Sequence, residues 1–275
     1  MDMIQVAEEK CIKCGRCAQV CPLGTLGVDE HGPKVLTQFC IACGHCVAVC
    51  PSDALDNVNT PLANQVPFRK EPVIDADTAA MFLRSRRSVR AYKKDSVPRE
   101  KIRQLLDIAR FAPTAGNSQG VAYHIIDDRD TLRSITAVTV DWLEEALQSP
   151  PYAGSPFEGP FAAAVANYRQ NGRDIVLRNA PCLAVATADK NVPFGLGRDN
   201  TRFSLAYAEL YAPSIGLGTC ITGFFDACAS SGYQPMLDIL NLPENMCVTG
   251  ALMVGYPQFK YTRLVDRNPL QITWQ

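Results

Sequence analysis

The 275-residue chain has no uninterrupted run of about eighteen apolar residues, which argues against a membrane-spanning helix. It also lacks an excess of either charge. Its 27 Lys and Arg stand against 28 Asp and Glu, a formal net charge of −1, so nothing global attracts nucleic acid or anionic lipid. The opening residues, MDMIQVAEEK, have no basic start followed by an apolar stretch, so they do not read as a secretory signal. The expectation is a cytoplasmic protein. There is no HExxH segment and no evident Ser–His–Asp set. The GLGRDN (195–200) and GLGTC (216–220) segments hold lone G-x-G patterns that follow no βαβ strand, which excludes a Rossmann dinucleotide site. With 47% hydrophobic and 20% charged residues the mixture is globular, and the length suits a large core with a small appendage.

What is abundant is cysteine. Eight of the twelve fall within the first 50 positions; the others are Cys182, Cys220, Cys228 and Cys247. Without an export signal, such a cluster points to metal rather than to disulfides. CIKCGRCAQVCP begins at Cys11 and CIACGHCVAVCP at Cys40, the same C-x2-C-x2-C-x3-C-P pattern repeated at an offset of 29 residues. The two-residue gaps let three thiolates wrap one cubane, with Gly15 and Gly44 easing the turn. The fourth cysteine, directed by its proline, reaches the other cluster. Cys11, Cys14, Cys17 and Cys50 are therefore read as ligands of one [4Fe-4S] cluster, and Cys40, Cys43, Cys46 and Cys21 as ligands of the other. Zinc ribbons also use C-x2-C pairs, but zinc leaves the third cysteine and the trailing C-P of each copy unexplained. His45, between two ligands, reads as a spacer.

This segment resembles bacterial two-cluster ferredoxins over about residues 3 to 56. Residues 1–56 carry 4 basic and 7 acidic residues, a slightly acidic balance suited to docking on a basic redox partner. Three segments are expected: a ferredoxin-like domain at 1–56, a proline-containing extended connector at 57–77, and a larger domain at 78–275. In the larger domain, residues 99–111, 199–218 and 233–242 read as helices. Residues 121–127, 181–188 and 246–256 read as largely buried strands. The order lacks regular βαβ spacing, so the expectation is an α+β fold with a small sheet. Cys182, Cys247, Cys220, Cys228 and His124 are expected in the core.

The segment RSRRSVRAYKK (84–94) puts six positive charges into eleven positions. Nucleic-acid binding calls for interleaved aromatics and a basic domain. Here Tyr92 stands alone, and the remainder of the chain balances 23 basic against 21 acidic residues. Together with FAPTAGNSQG (111–120), SIGLGTCITGFF (214–225) and GYPQFKYTR (255–263), the run resembles the nitroreductase family of flavoproteins over roughly residues 78 to 275.

That resemblance implies a dimeric α+β FMN domain, with a small mixed sheet flanked by helices, and assigns the charges a purpose. Arg86, Ser88 and Arg90 match the R-x-S-x-R motif that holds the FMN phosphate, with Arg87 in the same loop. Lys260 and Arg263 match its C-terminal basic contribution. Pro113, Thr114, Ala115, Asn117 and Gln119 match a loop that reaches FMN from the partner subunit. Thr222 and Gly223 match the segment whose backbone amide faces the reactive edge of the flavin. Lys93 and Lys94 read as surface charges. Gly120 and Val121 depart from the frequent Pro-Trp, which implies a more open pocket beside the flavin, and Ala115 departs from a frequent serine, which leaves only backbone groups at that position.

The expected activity is reduction of an organic acceptor (a nitroaromatic, quinone or activated alkene) by hydride from FMN, with electrons passing through two [4Fe-4S] clusters. The donor is a low-potential protein such as ferredoxin, or NAD(P)H. No general acid is assigned. Two other readings stay open: an electron-transfer protein without its own substrate, and an enzyme that modifies flavin itself.

Overall fold

The computed structural model describes residues 3–68, 74–192 and 196–275. The chain divides into two compact units: Met1–Val73 with Gly116–Ser118, and Ile74–Ala115 with Gln119–Gln275.

In the first unit, β1 (Ile4–Val6) pairs antiparallel with β4 (Leu55–Asn57), and β2 (Leu26–Asp29) with β3 (Gly32–Val35). Two single-turn helices, α1 (Arg16–Gln19) and α2 (His45–Ala48), start from glycines in the left-handed region; Gly15 and Gly44 both have φ of 74°. A side chain at either would be strained there, so the paired glycines of the repeat have a backbone reason. Ile4, Leu26, Cys46, Val47 and Leu55 form a small core between the halves. Of the expected connector 57–77, Asn57 closes β4, Leu62–Asn64 form a 3-10 turn, and α3 (Ala76–Ser85) has already begun. Residues 69–73 of the connector lie outside the described residues.

The second unit is built on a four-stranded sheet in the order β5-β6-β8-β7: β5 (Ala122–Ile126), β6 (Cys182–Asp189), β7 (Gly218–Ile221) and β8 (Met246–Gly255). These four strands pair antiparallel, and a parallel bridge joins Ser88 to Thr219. β6 is apolar from Cys182 to Ala186 and buried through Ala188 because both of its faces are covered. Leu183 and Val185 point into one core layer with Ala251 and Met253. Cys182, Ala184 and Ala186 point into the other with Leu252 and Val254. The first layer is closed by α5 (Arg129–Ala146), α6 (Glu158–Asn171), α8 (Gly223–Ser230) and α9 (Gln234–Leu240), the second by α4 (Arg99–Ala109) and α7 (Leu196–Tyr211).

Three sequence expectations change. The helix expected over 199–218 spans Leu196–Tyr211 and gives way to a 3-10 turn at Ala212–Ile215, since Pro213 has no N–H with which to continue it. Segment 121–127 is not largely buried: β5 is an edge strand, Ala122 and His124 are exposed, and His124 is thus no core histidine. Cys247 is only partly buried, with its thiol toward the Ala188 carbonyl, whereas Cys182, Cys220 and Cys228 are in the core. α5, which drew no reading from the sequence, is capped by the Asp128 carboxylate accepting from Thr131 N at 2.8 Å. It buries Leu132, Ile135, Thr139, Val140 and Leu143 along one stripe. No helix among the described residues is long and apolar enough to cross a membrane.

The basic run is tied to this sheet through its backbone. Val89 N donates to Thr219 O at 2.8 Å, Lys93 N to Tyr256 O at 2.9 Å, and the Tyr92 hydroxyl returns to Val89 O at 2.7 Å. Glycines permit the approach: a Cβ at Gly218 would stand 2.6 Å from Val89 Cγ2 and 2.8 Å from Pro257 Cγ. Gly218→Ala is therefore expected to lower stability by about 1–3 kcal/mol through overpacking. Gly159→Ala, whose added carbon meets nothing within 4 Å, is expected to leave stability unchanged or raised. Denaturant midpoints of the two variants check this.

Candidate cofactor sites

In the first unit the eight N-terminal cysteines gather into two recesses. One is lined by Cys11, Cys14, Cys17 and Cys50 beside Val6, Pro33 and Leu55. The other is lined by Cys21, Cys40, Cys43 and Cys46 beside Ile4, Leu26 and Asn57. The last cysteine of each repeat thus stands with the first three of the other. His45 lies on the wall of the second recess. Hydrogen-bond donors converge on the sulfurs. Thr25 N donates to Cys21 Sγ and Ala54 N to Cys50 Sγ, each at 3.3 Å and at equivalent repeat positions.

Two further donors break the repeat symmetry in favour of the second recess. Ala42 N lies 3.3 Å from Cys40 Sγ, and Asn57 Nδ2 lies 3.7 Å from the same sulfur. Asn57 is 1% exposed, and its Oδ1 is fixed by accepting from Asn59 N at 2.9 Å. Among the described residues the first recess has the Ser52 hydroxyl, 3.7 Å from Cys50 Sγ, as a counterpart.

The second unit holds a cavity of about 1090 Å³. Of the expected flavin residues, Arg90, Thr222 and Gly223 line it. Thr222 caps α8 at its N-terminus, donates its N–H to Ala251 O at 3.2 Å, and is 1% exposed.

The other residues of the basic run are engaged locally. Arg86 Nη1 meets Glu209 Oε1 at 3.3 Å, where burial pushes the Glu209 carboxyl up and Arg86 pulls it back. Arg87 donates to the carbonyls of Arg84, Arg86 and Arg263 at 2.7, 2.9 and 3.0 Å, while its buried Nε has no partner among the described residues. Ser88 stands beside Cys220, a cavity-lining thiol that burial pushes up. Lys260 and Arg263 are exposed and outside the cavity wall.

The 113–119 loop folds on itself. Thr114 Oγ1 accepts from Gln119 N at 3.0 Å, and Ala115 N donates to Asn200 Oδ1 at 2.9 Å. Neither Pro113 nor its loop neighbours line the cavity. Asn117 falls in the first unit, where its amide donates to the carbonyls of Ile41 and Ala42, each at 2.9 Å.

Sequence reasoning missed four charged cavity residues: Arg178, Arg198, Arg202 and Asp226. Arg178 is presented by a short loop that Asp174 organises, its carboxylate accepting from Val176, Leu177 and Asn179 N–H groups at 2.8 to 2.9 Å. Both Arg178 and Asn179 take positive φ there, of 57° and 51°. An Asp followed five residues later by Asn, just ahead of a buried strand, was the available signal. Burial and the neighbouring Arg90 guanidinium both lower the Arg178 pKa. Asp226 accepts from Thr222 Oγ1 at 3.0 Å, and burial pushes its pKa up to about 7 against the opposing pull of Thr222, Arg198, Ala251 N–H and Arg202.

Residues 83–256 match the nitroreductase family, and residues 3–51 match the 4Fe-4S dicluster domain. The chain belongs to the nitroreductase family and carries a ferredoxin-type domain ahead of the family region. Among curated relatives, the NADH dehydrogenase of Thermus thermophilus is 42% identical over 201 residues, covering 68% of this chain and 88% of that protein. The iodotyrosine deiodinase of Thermotoga neapolitana is 24% identical over 174 residues, covering 63% and 86%. Among solved structures, a nitroreductase with bound FMN from Bacteroides fragilis shares the fold with a TM-score of 0.56 at 16% identity, covering 71% of this chain and 98% of that one. A BluB-like flavoprotein from Clostridium difficile does so with 0.56 at 18%, covering 72% and 96%.

Asp226 predicts a pH signature. Its folded pKa lies above its unfolded value of 3.8, so the folded state holds the proton more tightly and loses stability as pH rises from about 4 to about 7. Asp226→Asn keeps an acceptor for Thr222 and removes this loss. Its stability relative to the parent should therefore rise between pH 4 and pH 8, as followed by urea unfolding across that range.

Proposed function

We propose that the protein is an FMN-dependent oxidoreductase that draws single electrons through two [4Fe-4S] clusters and reduces a small organic acceptor by hydride transfer. The observation that carries this reading is the cavity on which Arg90 converges with Thr222 and Gly223. Arg90 lies far in sequence from the adjacent Thr222 and Gly223, and all three belong to the family's flavin pattern. At about 1090 Å³ the cavity stands at the upper end of ligand pockets, with room for a flavin and an acceptor together. The buried, unpartnered Nε of Arg87 fits an anionic group held by the same loop. The four-cysteine recesses support the cluster assignment: Cys11, Cys14, Cys17 and Cys50 for one, and Cys21, Cys40, Cys43 and Cys46 for the other.

FMN, when bound, takes up electrons singly and gives them out as a hydride. This chain's residues bind and orient it. Arg90 supplies positive charge, and Thr222 stands at the start of α8, whose first residues Gly223 and Phe224 line the same cavity. Arg86 meets a phosphate only by leaving Glu209, a single contact at 3.3 Å rather than a two-point fork. The remaining flavin contacts proposed are Ser88, Pro113, Thr114, Ala115, Asn117, Gln119, Lys260 and Arg263. The family pattern supports a homodimer as the working form. A ferredoxin-like protein is the proposed donor, with NAD(P)H as the competing one; the Thermus relative is named an NADH dehydrogenase.

Anaerobic purification followed by acid release is expected to yield about one FMN and about eight iron atoms per chain. Iron without flavin, even after incubation with FMN, overturns the reductase reading and leaves electron transfer. Asn57→Leu removes a buried donor to Cys40 Sγ and should lower the potential of that cluster by on the order of 50 mV, leaving the other in place. Redox titration monitored by electron paramagnetic resonance checks this.

A further inference from the structure

The cationic groups of the cavity come from different elements. Arg90 belongs to the basic run and Arg178 to the loop before β6, and the Arg90 guanidinium helps to lower the Arg178 pKa. Arg198 and Arg202, one turn apart on α7, act on Asp226. Arg90 is a member of the family's flavin pattern; the α7 pair has no place in that pattern. FMN brings a single phosphate group, so a second cationic end is more than the cofactor requires.

Neither guanidinium at this end is committed to a strong partner. Arg198 Nη2 donates to Ser230 Oγ at 2.8 Å, a neutral acceptor. Arg202 lies 3.8 Å from Asp199, with both side chains more than half exposed, a pair that water screens and that exchanges at little cost. The same cavity has an aromatic wall. Phe161 packs against Tyr152 at 5.1 Å and Phe224 at 5.9 Å between ring centroids, and all three line the space. An aromatic surface with two available guanidiniums and a serine hydroxyl recognises a flat ring bearing an oxyanion.

We propose that the Arg198–Arg202 end of the cavity, with Ser230 and the aromatic wall, binds the carboxylate of an aromatic acceptor, making the substrate an anion. This rests on the flavin reading for its chemistry, though not for the binding itself. The acceptor takes a hydride from the reduced flavin and a proton from solvent, so two electrons and two protons are accounted for.

Asp226 is the one carboxylic acid among the described residues that line the cavity. It accepts from Thr222 at its own helix start, and its carboxyl feels the positive charges of Arg198 and Arg202 on α7 and the Ala251 N–H of β8. While protonated it does not oppose the anion; ionised, it does. Affinity for a carboxylate is therefore expected to fall as pH rises through neutrality.

The test uses the full chain, purified anaerobically. Calorimetric titration with benzoate, which is not reduced, should show binding that weakens from pH 6 to pH 8. Arg198→Gln should weaken it on the order of tenfold, the loss of one charge-assisted hydrogen bond, and Arg198→Lys should restore part of it. In parallel, para-nitrobenzoate should half-saturate reoxidation of the dithionite-reduced protein at a concentration on the order of tenfold below para-nitrobenzyl alcohol, and Arg198→Gln should erase that preference alone. Equal benzoate binding by parent and Arg198→Gln overturns the proposal, as does equal handling of the two nitroaromatics by a flavin-loaded parent. A chain that holds no flavin but binds benzoate through Arg198 overturns the oxidoreductase reading and leaves the anion site standing.

Discussion

The approach of the Ser88–Tyr92 backbone to β7 is the constraint on which the larger unit's chemistry depends. Val89 N reaches Thr219 O at 2.8 Å only because position 218 carries no side chain. Once that contact is made, the guanidiniums of the run lose their freedom to choose a common target. Arg90 faces the cavity, Arg87 turns back to three carbonyls, and Arg86 meets a buried carboxylate. Three arginines that look equivalent along the chain are thereby given different tasks, and the difference comes from backbone geometry rather than from charge.

The elements most legible in the sequence were those with one dominant local signal. The doubled C-x2-C-x2-C-x3-C-P pattern announced paired recesses. The largely apolar run 181–188 became β6, buried on both faces, and Pro98 opened α4 as its position suggested. What stayed hidden was set by long-range context. His124 sits in an apolar run, yet the strand it occupies is at the sheet edge, and no local pattern reports which strand is outermost. α5 carries threonines at several inward positions, which blur a hydrophobic stripe even though Thr139 satisfies its hydroxyl on the Ile135 carbonyl at 2.7 Å.

The candidate site divides in the same way. Arg90, Thr222 and Gly223 were found because they sit inside recurring motifs. Arg178, Arg198, Arg202 and Asp226 belong to no motif and become neighbours only when α7, α8 and the loop before β6 fold around one space. Their electrostatics are equally non-local. The Asp226 carboxyl is held near neutrality mainly by burial, and its sequence neighbours Phe225 and Ala227 give no hint of it.

The crosswise gathering of cysteines has a consequence for how the small unit comes apart. Each recess borrows its fourth sulfur from the opposite half of the repeat, Cys50 on one side and Cys21 on the other. With both recesses filled as proposed, neither half is a self-sufficient container. Damage to one cluster by an oxidant frees a cysteine whose own backbone helps to shape the other recess, because Cys46, Val47 and Leu55 share one core with Ile4 and Leu26.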